Sequence, residues 1–155
     1  MPKPPFWNLP TPDAEEETRT FTDPSRPEYP VTITLRRVTH IERAAIRARS
    51  AELEAEWCDQ RDESGRVTEE ADLFPLPDGT AVKLNPDFCY SAAMAEGMQA
   101  GPEEDRYSFI ELIGLSLKLP AAYQQMSEWA AAKLRGALGN SPKATTGTPS
   151  APPII

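Results

Sequence analysis

The sequence predicts a helix-dominated α+β fold, in which an N-terminal β-hairpin packs on about four α-helices. Residues 32–36, TITLR, alternate apolar or β-branched residues with polar ones, as a half-buried strand does. Residues 39–42 follow as Thr-x-x-Glu, the capping box that begins a helix. Beyond residue 85, three segments carry apolar residues at helical spacing between proline and glycine boundaries. Together these patterns predict a single domain.

Two terminal arms flank the predicted domain. Residues 1–13 contain five prolines, and residues 140–155 are mostly Ser, Thr, Gly, Pro and Ala. Such segments bury too little apolar surface to offset the entropy lost on ordering. We therefore predict flexible arms at 1–14 and 140–155, and one α+β domain over residues 15–139.

The first predicted elements are two strands, at residues 18–22 and 31–37. Pro24, Pro27 and Pro30 lie in the connection, where they cannot interrupt the hydrogen-bond ladder of an antiparallel hairpin. A hairpin alone is only marginally stable in water. We therefore expect it to lie against the helices.

The first helix is predicted from His40 to about Arg61. Ile46, Leu53 and Trp57 share one face of it, and Gly65 is predicted to be its left-handed C-terminal cap. A second stripe of small residues would allow another helix to approach closely, and consists of Ala44, Ala48, Ala51 and Ala55. The segment 67–83 is predicted to be irregular, with a small hairpin turning at Asp78-Gly79.

The remaining helices begin and end at clear signals. Asn85-Pro86 predicts a helix to about Gln99, with an inward face of Phe88, Ala92, Ala95 and Met98. The acidic residues 103–105 suit the start of the next helix. That helix is apolar on nearly every side from 108 to 119, which predicts the central core element. The last helix is predicted from Ala121 to about residue 138.

Charge and composition argue against several functions. The net charge is −8, from 24 acidic and 16 basic residues, and the basic cluster at 36–49 is interleaved with glutamates. We therefore predict no nucleic-acid binding, which requires clustered cations. The longest apolar run, 109–119, is too short to cross a bilayer, and no signal-peptide pattern opens the chain. The expectation is a soluble, cytoplasmic protein without membrane contact.

No residue pattern predicts catalysis, a cofactor or a metal. His40 is the only histidine and is expected to face solvent at a helix start. Cys58 and Cys89 come singly and are expected to be buried free thiols. The acidic residues at 59–63 and 103–105 are explained by helix ends, and no glycine-rich phosphate loop or G-x-S-x-G motif is present. We predict that the protein is not an enzyme.

Partner-binding residues are predicted in two places. Phe6 and Trp7 lie adjacent in the N-terminal arm, where an anchor for a partner and an idle tail are equally compatible with the sequence. An adaptable apolar groove is predicted from residues of the last two-thirds of the chain: Met94, Met98, Tyr123, Met126 and Trp129. The alternative, that the methionines fill the core, is the more common case and stays open.

The order of parts suggests a family. A strand and proline loop beginning FTDP lead into VTITLRRVTHIERAAIRARS, followed by NPDF and then SFIELIGLSLKLPAAYQQMSEW. Over about residues 18–138 this order resembles the tail assembly chaperones of long-tailed bacteriophages. The motifs are patterns of hydrophobicity and length, and they carry no diagnostic active site.

The resemblance implies a non-enzymatic protein of the host cytoplasm. Proteins of this family coat the long, mostly helical tape-measure protein, keep it soluble, recruit tail-tube subunits and are absent from the mature virion. Self-association is expected with this role. The alternative is a structural virion component, such as a tail-completion or head-tail connector subunit with its arms as straps. A third hypothesis is a small metal or nucleotide enzyme.

Overall fold

A computed structural model of the chain describes residues 15–136, where four α-helices follow an N-terminal β-hairpin. The predicted helix-dominated α+β fold class is confirmed. The helices are α1 (His40–Trp57), α2 (Pro86–Met98), α3 (Phe109–Lys118) and α4 (Pro120–Gly136). The strands form three separate antiparallel pairs: β1 (Glu16–Phe21) with β2 (Val31–Arg36), β3 (Gln60–Arg61) with β4 (Val67–Glu69), and β5 (Phe74–Pro75) with β6 (Ala81–Val82). The predicted arms and residues 137–139 lie outside the described residues.

The N-terminal hairpin has one buried and one exposed face. Val31, Ile33 and Leu35 of β2 point into the core, and the threonines between them point outward. On the outer face, hydroxyl pairs bridge the strands at 2.7 Å (Thr18 with Thr34) and 2.9 Å (Thr20 with Thr32). The hairpin packs on α4, where the ring of Phe21 lies 5.7 Å from that of Trp129. It therefore rests on a helix, as a marginally stable hairpin must.

Helix α1 begins at the predicted capping box. The Thr39 hydroxyl accepts from the Glu42 N–H at 3.2 Å, and the Glu42 carboxylate accepts from the Thr39 N–H at 2.9 Å. The helix ends at Trp57, four residues earlier than predicted, because Cys58 is extended and β3 begins two residues later.

The prediction that another helix approaches the alanine stripe of α1 is wrong. Ala44, Ala48, Ala51 and Ala55 are all exposed. The buried face of α1 consists of Ile46, Ser50 and Leu53 and packs on α2. Helices α1 and α2 instead approach each other closely at Gly97 of α2, where an added Cβ would lie 2.7 Å from Cγ1 of Ile46.

The segment between α1 and α2 contains two small hairpins. Gly65 has a positive φ of 86°, as predicted, but it lies in the turn between β3 and β4 and does not cap α1. Asp78-Gly79 turns the pair β5 and β6, which confirms the second hairpin, and Gly79 has a φ of 89°. Phe74 of β5 is buried, so this segment also contributes to the core.

The central element is α2, and the prediction that the 108–119 helix is central is wrong. Helix α2 contacts α1, α3, α4 and β2, and Asn85 caps it by accepting from the Phe88 N–H at 2.8 Å. Helix α3 leaves one side in solvent. The acidic residues Glu103–Asp105 form a separate 3₁₀ turn, and α3 begins at a second capping box, between Ser108 and Glu111.

Candidate protein-binding surface

The predicted methionine groove is not on the surface. Its five residues are each at most 8% exposed: Met94, Met98, Tyr123, Met126 and Trp129. The prediction is wrong because three helices and β2 enclose α2. Its methionines therefore fill the core, where the inward face of α4 covers them. Phe6 and Trp7 lie outside the described residues.

Tyr123 and Trp129 already have partners within the fold. The Tyr123 hydroxyl shares a 2.6 Å hydrogen bond with the Ser91 hydroxyl, and burial raises the pKa of Tyr123 to about 12. The Arg19 guanidinium lies over the Trp129 ring, 4.8 Å from its centre. Tyr123 and Trp129 therefore join α4 to α2 and to the hairpin.

An apolar strip is exposed on α3 instead. Ile110 is 43% exposed and Leu117 is 47% exposed, and Gly114 lies between them at helical spacing. We call these three residues the α3 stripe. A Cβ built on Gly114 would meet no atom within 4 Å, so the middle of the stripe is open. The stripe therefore presents two apolar side chains on either side of a place where another backbone can approach.

A small apolar cavity adjoins the stripe at Leu117. Its volume is about 170 Å³, and its walls come from α3, α2 and the segment that links β6 to α2. The apolar lining residues are Val82, Leu84, Phe88, Ile113 and Leu117. Pockets for drug-sized ligands usually exceed about 300 Å³. The cavity therefore suits one apolar side chain of a partner better than a small molecule.

Charged groups stand at both ends of the stripe. Glu111 is exposed in the first turn of α3, and Lys118 is exposed in its last turn, which is the favourable arrangement for the helix dipole. Hydrogen bonds from Thr80 hold the pKa of Asp78 below its ordinary value, and the charge of Lys118 adds to the effect. The apolar strip therefore has a polar rim, as protein-binding surfaces do.

The larger cavities are more polar. One of about 600 Å³ lies between the end of α1 and residues 83–86, where Lys83 pairs with Asp59 at 2.7 Å. Another of about 590 Å³ lies beside the 101–107 loop, where the Arg106 guanidinium donates two hydrogen bonds to the Gly101 carbonyl. His40 is exposed in the first turn of α1.

Residues 15–136 lack two kinds of feature. No group of three or more His, Cys, Asp or Glu side chains in this range is placed to hold a metal ion. None of the described helices is both long and apolar enough to span a membrane.

No family model, curated protein or solved structure matches the chain. Ile110 and Leu117 belong to the 108–119 helix, which the sequence predicts to be the central core element because it is apolar on nearly every side. The signal for an exposed side is the pair of charged residues Glu111 and Lys118, which adjoin Ile110 and Leu117 in the sequence and are exposed in the structure.

Proposed function

We propose that this chain is a non-enzymatic protein-binding module that acts as a phage tail assembly chaperone. In this role it binds the tape-measure protein, keeps it soluble and recruits tail-tube subunits in the host cytoplasm, and it does not remain in the mature virion. One observation carries the binding role: the α3 stripe adjoins an apolar cavity within a polar rim. The identity of the partner comes from the family resemblance.

The surface suits an amphipathic helix as its partner. Such a helix presents apolar side chains at i, i+3, i+4 and i+7, and binds by laying them on an apolar strip. The gap at Gly114 lets the partner's backbone approach between Ile110 and Leu117. The cavity beside Leu117 receives one apolar side chain. A long, mostly helical tape-measure protein would offer many such segments, and the net charge of −8 would keep the coated assembly soluble.

The test is co-expression of the full chain with the tape-measure protein encoded nearby, followed by size-exclusion chromatography. The informative variant is Ile110→Gln with Leu117→Gln, which removes the stripe without touching the core. The matched control is Ile41→Gln, because Ile41 is 70% exposed on α1, away from α3. We expect the wild type and the control to co-elute with the partner, and the double variant to bind at least roughly tenfold more weakly.

The results separate the proposal from its alternatives. If the tape-measure protein precipitates with the wild type as it does alone, the chaperone role is wrong. If it stays soluble with the double variant as well, the chaperone role stands and the α3 stripe is not the binding surface. Stoichiometric amounts of the chain in purified particles would instead favour a tail-completion or connector subunit.

A further inference from the structure

Cys58 and Cys89 bring two buried thiols into contact. Their Sγ atoms lie 3.6 Å apart, although the residues are 31 positions apart in sequence. Cys58 is 2% exposed and Cys89 is fully buried. These two are the only cysteines of the chain. Each was expected from the sequence to be a separate buried thiol, and the pairing appears only in the fold.

We propose that Cys58 and Cys89 form a reversible dithiol–disulfide site, whose oxidant is a small disulfide of the glutathione type. This inference is independent of the proposed chaperone role. An S–S bond measures about 2.05 Å, so the two sulfur atoms must close by about 1.5 Å. Cys58 is the C-cap of α1: its N–H makes the last helical hydrogen bond, to the Glu54 carbonyl at 3.0 Å, but its backbone is extended, so its side chain is the one placed to move.

The surroundings assign different roles to the two thiols. Cys58 lines two surface cavities, of about 600 Å³ and about 280 Å³, through which a small disulfide can reach it. Cys89 lies in the first turns of α2 with no exposed surface. Burial raises the pKa of both thiols, that of Cys89 to about 12. Cys58 is therefore the attacking thiol and Cys89 the resolving one.

The reaction is a two-step thiol–disulfide exchange. Cys58 gives its proton to solvent, and its sulfur attacks one sulfur of oxidised glutathione, which releases one glutathione thiolate. Cys89 then loses its proton, and its sulfur displaces the second glutathione from Cys58. Two protein thiols are oxidised to one disulfide, and one glutathione disulfide is reduced to two thiols. Because both pKa values are raised, we expect the exchange to be slow at neutral pH.

The disulfide would join the end of α1 to the start of α2. It closes the loop that contains both small hairpins and residues 82–88, so it restricts the unfolded chain more than the folded one. Folding and disulfide formation belong to one thermodynamic cycle. A disulfide that stabilises the fold must therefore form more readily in the folded chain than in the unfolded one. For a loop of this length the gain in the equilibrium constant for disulfide formation is on the order of 100-fold.

The test compares redox equilibria of the full-length chain. Native and urea-denatured protein are equilibrated with mixtures of reduced and oxidised glutathione, and free thiols are counted after acid quenching. We expect native protein to form the intramolecular disulfide with an equilibrium constant on the order of 100-fold larger than denatured protein. The oxidised chain should lose two hydrogens in mass, melt at a higher temperature and return to the dithiol with dithiothreitol.

Two variants assign the roles. Cys89→Ala should accumulate glutathione on Cys58, whereas Cys58→Ala should leave Cys89 unmodified while folded. If the variants do not fold, the comparison of wild-type equilibria decides alone. An equilibrium constant that is equal or smaller in the native state overturns the proposal, as does a lower melting temperature for the oxidised chain. Either result would make the pair a purely apolar packing contact.

Discussion

The carboxylate of Asp23 accepts a hydrogen bond of 2.9 Å from the backbone N–H of Ala121, 98 residues further along the chain. Asp23 lies in the loop between β1 and β2, and Ala121 is the second residue of α4. The same carboxylate accepts from the N–H and hydroxyl of Ser25, at 2.9 and 2.6 Å. The hairpin loop therefore supplies the cap for a helix at the other end of the chain.

This cap makes stability depend on pH. Hydrogen bonds from Ser25, and then from the Ala121 N–H, hold the pKa of Asp23 below its ordinary value. A carboxyl with a lowered folded-state pKa stabilises the fold fully above its unfolded pKa, and the contribution is lost as the pH falls through the folded value. We therefore expect Asp23→Asn to melt several degrees below the wild type at pH 7.

The difference in melting temperature between the wild type and Asp23→Asn should shrink as the pH falls below about 5. Thermal unfolding of both proteins across this range measures it. The other carboxyl groups titrate in both proteins, so their effects cancel in the difference. A melting-temperature difference that stays constant from pH 7 to pH 3 would show that the charge of Asp23 does not act as the cap.

Gly97 and Gly114, which lie inside α2 and α3, should respond in opposite ways to alanine. At Gly97 a new Cβ would lie 2.7 Å from Cγ1 of the buried Ile46, so Gly97→Ala should destabilise the fold by about 1–3 kcal/mol. At Gly114 a Cβ meets nothing, so Gly114→Ala should stabilise it by about 0.5–1 kcal/mol. Urea unfolding measures both, and Gly97→Ala should cost less in an Ile46→Ala background. Equal effects of the two alanines would contradict the close contact of α1 and α2.

The buried amide of Gln99 should contribute more to the free energy of unfolding than the exposed amide of Gln124. Buried Gln99 donates to the Tyr107 carbonyl at 2.8 Å and accepts from the Tyr107 N–H at 2.7 Å, and thereby closes the loop before α3. Gln99→Leu leaves both backbone groups unpaired and should cost about 1–3 kcal/mol. Gln124→Leu is the matched control, since Gln124 is exposed, and it should change stability by less than about 0.5 kcal/mol.

Hydrogen exchange gives the local readout of the same prediction. The Tyr107 amide should exchange faster in Gln99→Leu, whereas the amides of α1 keep their relative order of protection. Unchanged exchange at Tyr107 would mean that the loop is held by other contacts.

Local signals predicted where elements begin, because a few adjacent residues decide it. The capping box at Thr39, the Asn85-Pro86 helix start and the Asp78-Gly79 turn all appear as predicted. A second Ser-x-x-Glu box at Ser108 was equally readable and was missed.

Burial could not be predicted in the same way, because it depends on which elements become neighbours. A mostly apolar segment such as 109–119, which is interrupted only by Glu111, Ser116 and Lys118, does not reveal which elements cover its apolar sides. The sequence therefore predicts α3 as the central element, whereas α2 is central in the structure. Ile110 and Leu117 of α3 are exposed and do not belong to the core. The same limit explains why the predicted binding surface is wrong. Met94, Met98 and Met126 were predicted from their residue type, and all three are buried.

The two-residue strand β5 should matter to the fold far more than its length suggests. Phe74 is buried between Trp57 of α1 and Phe109 of α3, with ring centres at 4.6 and 5.5 Å. Truncation removes both ring contacts and leaves a cavity, so Phe74→Ala should cost about 3–5 kcal/mol. Leu73→Ala is the matched control, because Leu73 is 54% exposed and its loss should stay within about 0.5 kcal/mol.

Chemical unfolding followed by tryptophan fluorescence measures both variants. Phe74→Ala should also change the native emission, because the Trp57 ring loses its neighbour, and Leu73→Ala should leave it unchanged. If the two variants lose the same small amount of stability, the segment between α1 and α2 is a surface excursion, as its irregular sequence first indicated. A large loss confined to Phe74→Ala would instead show that this segment joins α1 to α3 through the Phe74 ring.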